Sequence, residues 1–96
     1  MTKTAAPGSV SWGTHRPEDL IPRFIDTLAQ LDKAKAAAFR AKLPEDLEPN
    51  DPYWESEEAQ WMLEELFDAL DEHAPDGHYF GAHEGDGSDF GFWPVV

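Results

Sequence analysis

The stretch His78-Tyr79-Phe80-Gly81-Ala82-His83-Glu84-Gly85-Asp86-Gly87-Ser88-Asp89-Phe90-Gly91-Phe92-Trp93 decides the fold class. Two aromatic-rich runs flank the Gly-rich segment Glu84 to Ser88, the pattern of a β-hairpin closed by a five-residue loop. Pairing about that loop sets Phe80 opposite Phe92 and Ala82 opposite Phe90, on the face expected to pack on helices. Each buried phenylalanine there contributes roughly 1.5–3 kcal/mol. The other face pairs Tyr79 with Trp93, Gly81 with Gly91 and His83 with Asp89. Facing glycines weaken a sheet, so this face is expected to form a shallow groove that another element or a ligand approaches closely. Tyr79, His83, Asp89 and Trp93 are its candidate ligand contacts.

Immediately upstream, Ala59, Met62, Leu63, Leu66, Phe67, Leu70 and Ala74 recur at three- and four-residue spacing and predict one buried helix stripe. Asp51-Pro52 and Ser56-Glu57-Glu58 are both start signals, and Pro75-Asp76-Gly77 is the stop. Glu57, Glu58, Glu64, Glu65, Asp68, Asp71 and Glu72 occupy most of the remaining circumference, with Trp61 opposite the stripe beside Asp68 and Glu72. Trp54 shares that face if the helix begins at Pro52. A large aromatic ring among carboxylates suits a hot spot for a basic partner, where the ring buries area and the acids steer. The alternative is that the N-terminal arm or the hairpin covers these tryptophans and makes them core.

Pro44 to Pro52 reads as a linker, with three prolines and four acids in nine residues. Before it, Leu20, Ile21, Phe24, Ile25, Leu28 and Leu31 mark a first helix that begins near Pro17, with Glu18 and Asp19 at the positive end of its dipole. Pro22 either starts the helix proper or kinks it. Asp32 to Leu43 is helical by propensity, with a break near residues 31–33 favoured over one continuous helix. Residues 1–13 read as a flexible arm, in which Val10 and Trp12 alternate with serines as in a short strand at a sheet edge. The expected architecture is α+β: two or three helices on a C-terminal antiparallel hairpin, as a single domain over residues 14–96.

Charge divides along this chain. Residues 1–42 hold all seven Lys and Arg with four acids, a net +3, whereas residues 43–96 hold sixteen acids and no Lys or Arg, a net −16. Such a surface repels phosphate backbones and anionic lipid and attracts basic partners over roughly 8–10 Å at physiological salt. Direct nucleic-acid binding and membrane binding are therefore not expected. Solubility alone is the competing account of the acidity. The absence of cysteine removes disulfides, thiolate zinc sites and cysteine nucleophiles. The longest apolar stretches are only three or four residues and the N-terminus has no apolar core of a secretory signal, so a cytoplasmic location is expected.

His83, Glu84, Asp86 and Asp89 bring ligand atoms into seven residues, but the spacing departs from a calcium loop and glycine with aspartate is what a tight turn needs. His73, His78 and His83 recur every five residues without an obvious way to converge on zinc, and His73 reads as a satisfied, half-buried histidine. A His83–Asp89 pair has the makings of a base and its orienter, with Ser88 as the nearest nucleophile, which is weak ground for catalysis. No cofactor, metal or catalytic activity is expected.

Two segments carry a resemblance. The run Tyr79 to Trp93, preceded by Leu66-Phe67-Asp68-Ala69-Leu70, and the segment Thr14-His15-Arg16-Pro17-Glu18-Asp19-Leu20-Ile21-Pro22 resemble short uncharacterised acidic proteins of actinobacterial phages, plasmids and their hosts. About a third of the chain takes part. The resemblance implies a mobile-element origin and brings no activity with it. The leading expectation is an acidic inhibitor that occupies a basic, nucleic-acid-binding surface of a host or defence protein, as a monomer or homodimer. A ligand- or metal-binding module at the hairpin and a homo-oligomeric structural component are the alternatives.

Overall fold

Local sequence signals account for where each helix begins and ends. In the computed structural model, which describes residues 4–44, 47–48 and 50–95, helix α1 spans Pro17–Leu31 with Glu18 and Asp19 in its first turn. It buries Leu20, Ile21, Phe24, Ile25 and Leu28. Pro22 lies inside the helix rather than at its start, at the loss of one i→i−4 hydrogen bond. The chain then breaks at Asp32, whose backbone is extended. The Asp32 amide donates to the Leu28 carbonyl at 2.6 Å, and its carboxylate accepts from the Lys35 amide at 3.1 Å. One residue thus closes α1 and caps helix α2, Lys33–Lys42.

Both start signals upstream of the acidic helix are used. Asp51 accepts from the Tyr53 amide at 2.9 Å and opens a 3-10 turn, Pro52–Glu55. Ser56 then caps helix α3, Glu57–Asp71, its hydroxyl oxygen accepting from the Ala59 amide at 3.3 Å. The helix stops one turn before the Pro75-Asp76-Gly77 signal, and Gly77 makes the turn into the sheet at φ +76°, a conformation that favours glycine.

The sheet is three-stranded and antiparallel, in the order β1-β3-β2, with β1 Gly8–Ser11, β2 His78–His83 and β3 Asp86–Pro94. The hairpin pairs Tyr79 with Trp93, Phe80 with Phe92, Gly81 with Gly91 and Ala82 with Phe90, as its alternation predicts. Beyond Ala82 the register shifts. His83 pairs with Asp86 and not with Asp89, so a two-residue turn at Glu84-Gly85 and an irregular β3 replace the expected five-residue loop. The Asp86 carboxylate causes this locally: it accepts from the Ser88 hydroxyl at 2.8 Å and from the Ser88 amide at 3.1 Å.

Strand β1 lies on the free edge of β3, with Gly8 opposite Phe92 and Ser9 opposite Gly91. Here the glycine reading finds its element: a Cβ on Gly91 would sit 2.2 Å from the Gly8 carbonyl oxygen. The stretch expected as an arm contributes this strand and also Ala5, which is buried and donates its amide to the His73 carbonyl at 2.8 Å.

The core gathers where one face of the sheet meets α1 and α3. Phe24 is fully buried and meets Phe67, Phe80 and Phe90 edge-on, with centroids 5.3, 5.1 and 6.0 Å away. Phe80 and Phe92 follow at 4.9 Å. Such pairs contribute about 0.5–1.5 kcal/mol each beyond their buried area. The cluster ties α1, α3, β2 and β3 together and turns the acidic side of α3 outward. Among the described residues, no helix is long and apolar enough to cross a membrane.

Candidate functional site

All eight residues expected on the outer face of α3 are exposed: Glu57, Glu58, Trp61, Glu64, Glu65, Asp68, Asp71 and Glu72. They differ in what holds them. Glu65 pairs with Lys42 at 3.5 Å and Glu72 with Lys35 at 3.0 Å, so α2 neutralises one flank of the face. The Asp71 carboxylate accepts from the Phe80 amide at 3.0 Å and fastens the end of α3 to β2. Among the described residues, Glu57, Glu64 and Asp68 have no such ion pair. Glu58 acts on Tyr53, whose phenol is pushed up from its ordinary value by burial first and by the Glu58 charge second. The uncompensated charge is therefore concentrated toward the N-terminal and central turns of α3.

Trp61 stands in the middle of that charge with 59% of its surface exposed. Two surface depressions flank it. One, of about 250 Å³, is lined by Lys42, Tyr53, Glu58, Trp61, Met62 and Glu65. The other, of about 300 Å³, is lined by Glu55, Glu57, Gln60, Trp61 and Glu64. Each depression has carboxylates in its lining, and the first also holds Lys42. Trp54 fares differently: because α3 starts after Ser56 and not at Pro52, its ring turns inward, is buried, and donates Nε1–H to the Glu48 carbonyl at 2.8 Å. Tyr53 and Glu55 enter the site without a warning in the sequence, since their positions follow from the 3-10 turn, and Gln60 joins them from α3.

The hairpin's other face is occupied by its own side chains. The Tyr79 ring lies over Gly81, with carbon atoms 3.2 and 3.3 Å from where a Cβ would be, and its hydroxyl donates to the Ala82 carbonyl at 2.7 Å. The Trp93 Nε1–H donates to the Gly81 carbonyl at 3.1 Å, and the His83 ring meets Trp93 edge-on at 4.7 Å. Tyr79, His83 and Trp93 thus assemble over Gly81. Asp89 does not join them, for it accepts from the Ser9 hydroxyl on β1. The expected His83–Asp89 pair is not formed, because the register shift carries Asp86 to the position opposite His83. His83 Nδ1 instead accepts from the Gly85 amide at 2.9 Å, and Ser88 is committed to Asp86.

Asp86 is held below the ordinary carboxylate range, chiefly by the Ser88 hydroxyl and amide and secondarily by His83 and His15. His73 is buried at the end of α3. His78 contacts the Asp76 carbonyl at 3.0 Å. Among the described residues, no three His, Cys, Asp or Glu side chains cluster in a way that could hold a metal ion.

No protein family, curated protein or solved structure matches the chain.

Proposed function

We propose that this protein is a small acidic binding protein that acts in the cytoplasm by occupying a basic, nucleic-acid-binding surface of another protein. The observation that carries the reading is Trp61, 59% exposed on a helix face where Glu57, Glu64 and Asp68 have no ion pair among the described residues. An interface anchors on an exposed indole and steers with the acids around it. Side chains on successive helix turns lie about 5–6 Å apart, a spacing that lets carboxylates stand in for the phosphates of a strand. Occupation is competitive with nucleic acid. The resemblance to mobile-element proteins is the reason for naming a host or defence complex as the target.

The test is capture of proteins from the producing host on the immobilised chain, with elution by a salt gradient. The wild-type chain should retain a basic nucleic-acid-binding protein, release it as salt rises, and release it to added nucleic acid. The triple variant Glu57→Gln, Glu64→Gln, Asp68→Asn should retain much less. Retention that is indifferent to the triple substitution and to salt would sink the proposal.

A further inference from the structure

We infer that the docking surface continues beyond α3, across the 3-10 turn to the start of α1, as a track for an extended arginine-bearing polypeptide segment with the two exposed tryptophans at its ends. This rests on the proposed function and extends it.

The continuity is geometric. The depression of about 300 Å³ beside Trp61 shares Glu55 with a second, of about 630 Å³, formed where Asp51 and Pro52 meet Glu18 and Asp19. That one shares Glu18 and Asp19 with a third, of about 480 Å³, which ends on Trp12 and Arg23. The three in series run from Trp61 to Trp12. Trp12 is 66% exposed, and apart from Trp61 and Val95 it is the one large hydrophobic residue so exposed among those described.

The charge is complementary to a basic chain. Along the track the acids come from both halves of the sequence: Glu18, Asp19 and Asp26 from the part that is basic overall, and Asp51, Glu55, Glu57 and Glu64 from the acidic part. Arg16 and Arg23 are its cations, and Arg16 is engaged loosely by Glu18 at 3.9 Å. The lysines that compensate α3, Lys35 and Lys42, line depressions on its other flank. Folding therefore moves the charge division from the sequence onto a surface. Asp26 is held by Arg40 and Glu18 by Arg16, so among the described residues the carboxylates without an ion pair between the two indoles are Asp19, Asp51, Glu55, Glu57 and Glu64.

Three depressions in series favour an extended segment over a single side chain or a small cation, since only a chain reaches both tryptophans. Arginine is favoured over lysine because its planar guanidinium stacks on an indole and forks onto carboxylates, whereas an ammonium acts as a hydrated point charge.

Dye-labelled nona-arginine and nona-lysine peptides, titrated by fluorescence anisotropy at about 0.15 M salt, where exposed charges are screened beyond about 8 Å, make the test. Nona-arginine should bind more tightly than nona-lysine. Trp61→Ala and Trp12→Ala should each weaken nona-arginine by about two- to five-fold, as expected for an exposed cation–π contact. The double variant should show the product of the two effects, since the sites share no contact. Trp12→Phe should recover part of the loss, and unfolding midpoints of all variants should match the wild type because both rings are exposed. If Trp61→Ala weakens binding and Trp12→Ala does not, the track is overturned and the proposed function on α3 stands. If neither substitution nor the α3 triple variant changes binding, both fall. Equal affinity for the two peptides overturns the assignment of arginine.

Discussion

Replacing Gly91 by alanine tests how the N-terminal strand is held. A Cβ there would lie 2.2 Å from the Gly8 carbonyl oxygen and 2.9 Å from both the Gly8 carbonyl carbon and Ser9 Cα. All three are backbone atoms, so no side-chain rotation relieves the clash. Strand β1 must retreat by about an ångström or detach, and overpacking of this kind costs about 1–3 kcal/mol. Detachment would also release Ala5 from the core and the Ser9 hydroxyl from Asp89. For a domain of this size each 1 kcal/mol lowers the melting temperature by about 4–8 °C. The expected loss is therefore about 4–24 °C by circular dichroism. Two comparisons isolate the cause. Gly87→Ala meets nothing within 4 Å. Gly81→Ala meets only the Tyr79 ring at 3.2 Å, and its loss of unfolded-state freedom gives back about 0.4–1 kcal/mol. Both should melt near the wild type. A Gly91→Ala protein that melts within about 2 °C of Gly81→Ala, well inside the shift expected for 1 kcal/mol, would refute the close approach of β1.

Ser56→Ala removes the cap of α3 and should cost about 0.5–2 kcal/mol by urea denaturation, with Trp61 still exposed. Asp86 makes the hairpin tip sensitive to acid: its folded carboxyl titrates below its unfolded value, so its contribution is present above the ordinary carboxylate range and is lost as pH falls through the depressed value. The Ser88 amide should shift in NMR spectra over that interval, and Asp86→Asn should abolish the shift. Added salt should raise the melting temperature from low ionic strength, because residues 43–96 carry sixteen acids and no Lys or Arg, and exposed pairs such as Lys35–Glu72 return only about 0–1 kcal/mol each. A melting temperature that is flat in salt would mean that the carboxylates are compensated internally.

The hairpin's phenylalanine register was legible because strand alternation has period two and the aromatic pairs match only one way. Its loop was not. A five-residue loop and a two-residue turn with an irregular strand contain the same residues, and the choice depends on hydrogen bonds from Ser88 to Asp86. The helix wheel likewise gave the exposure of all eight α3 positions, since that follows from the apolar stripe alone. It could not give their partners. Whether Glu65, Asp71 and Glu72 are free depends on where α2 and β2 come to lie, which is tertiary information. Trp54 and Trp61 show the same division. Both lie among acids in sequence, and the position of one cap, Ser56, sends the first inward and leaves the second in solvent. The N-terminal strand had only Val10 and Trp12 to mark it, too short a signal to separate from an arm, and β1 ends at Ser11, before Trp12.

The central claim is that uncompensated carboxylates around Trp61 bind a basic protein surface. Its most direct test is the salt dependence of affinity for the captured partner, measured by calorimetry for the wild type and for the Glu57→Gln, Glu64→Gln, Asp68→Asn variant. At about 0.2–1 kcal/mol for each of the three exposed charges, the variant should bind about 3- to 150-fold more weakly near physiological salt. Its affinity should also fall less steeply as salt is raised. Equal affinities with parallel salt dependences would contradict the account, because the charge on α3 would then contribute nothing to recognition.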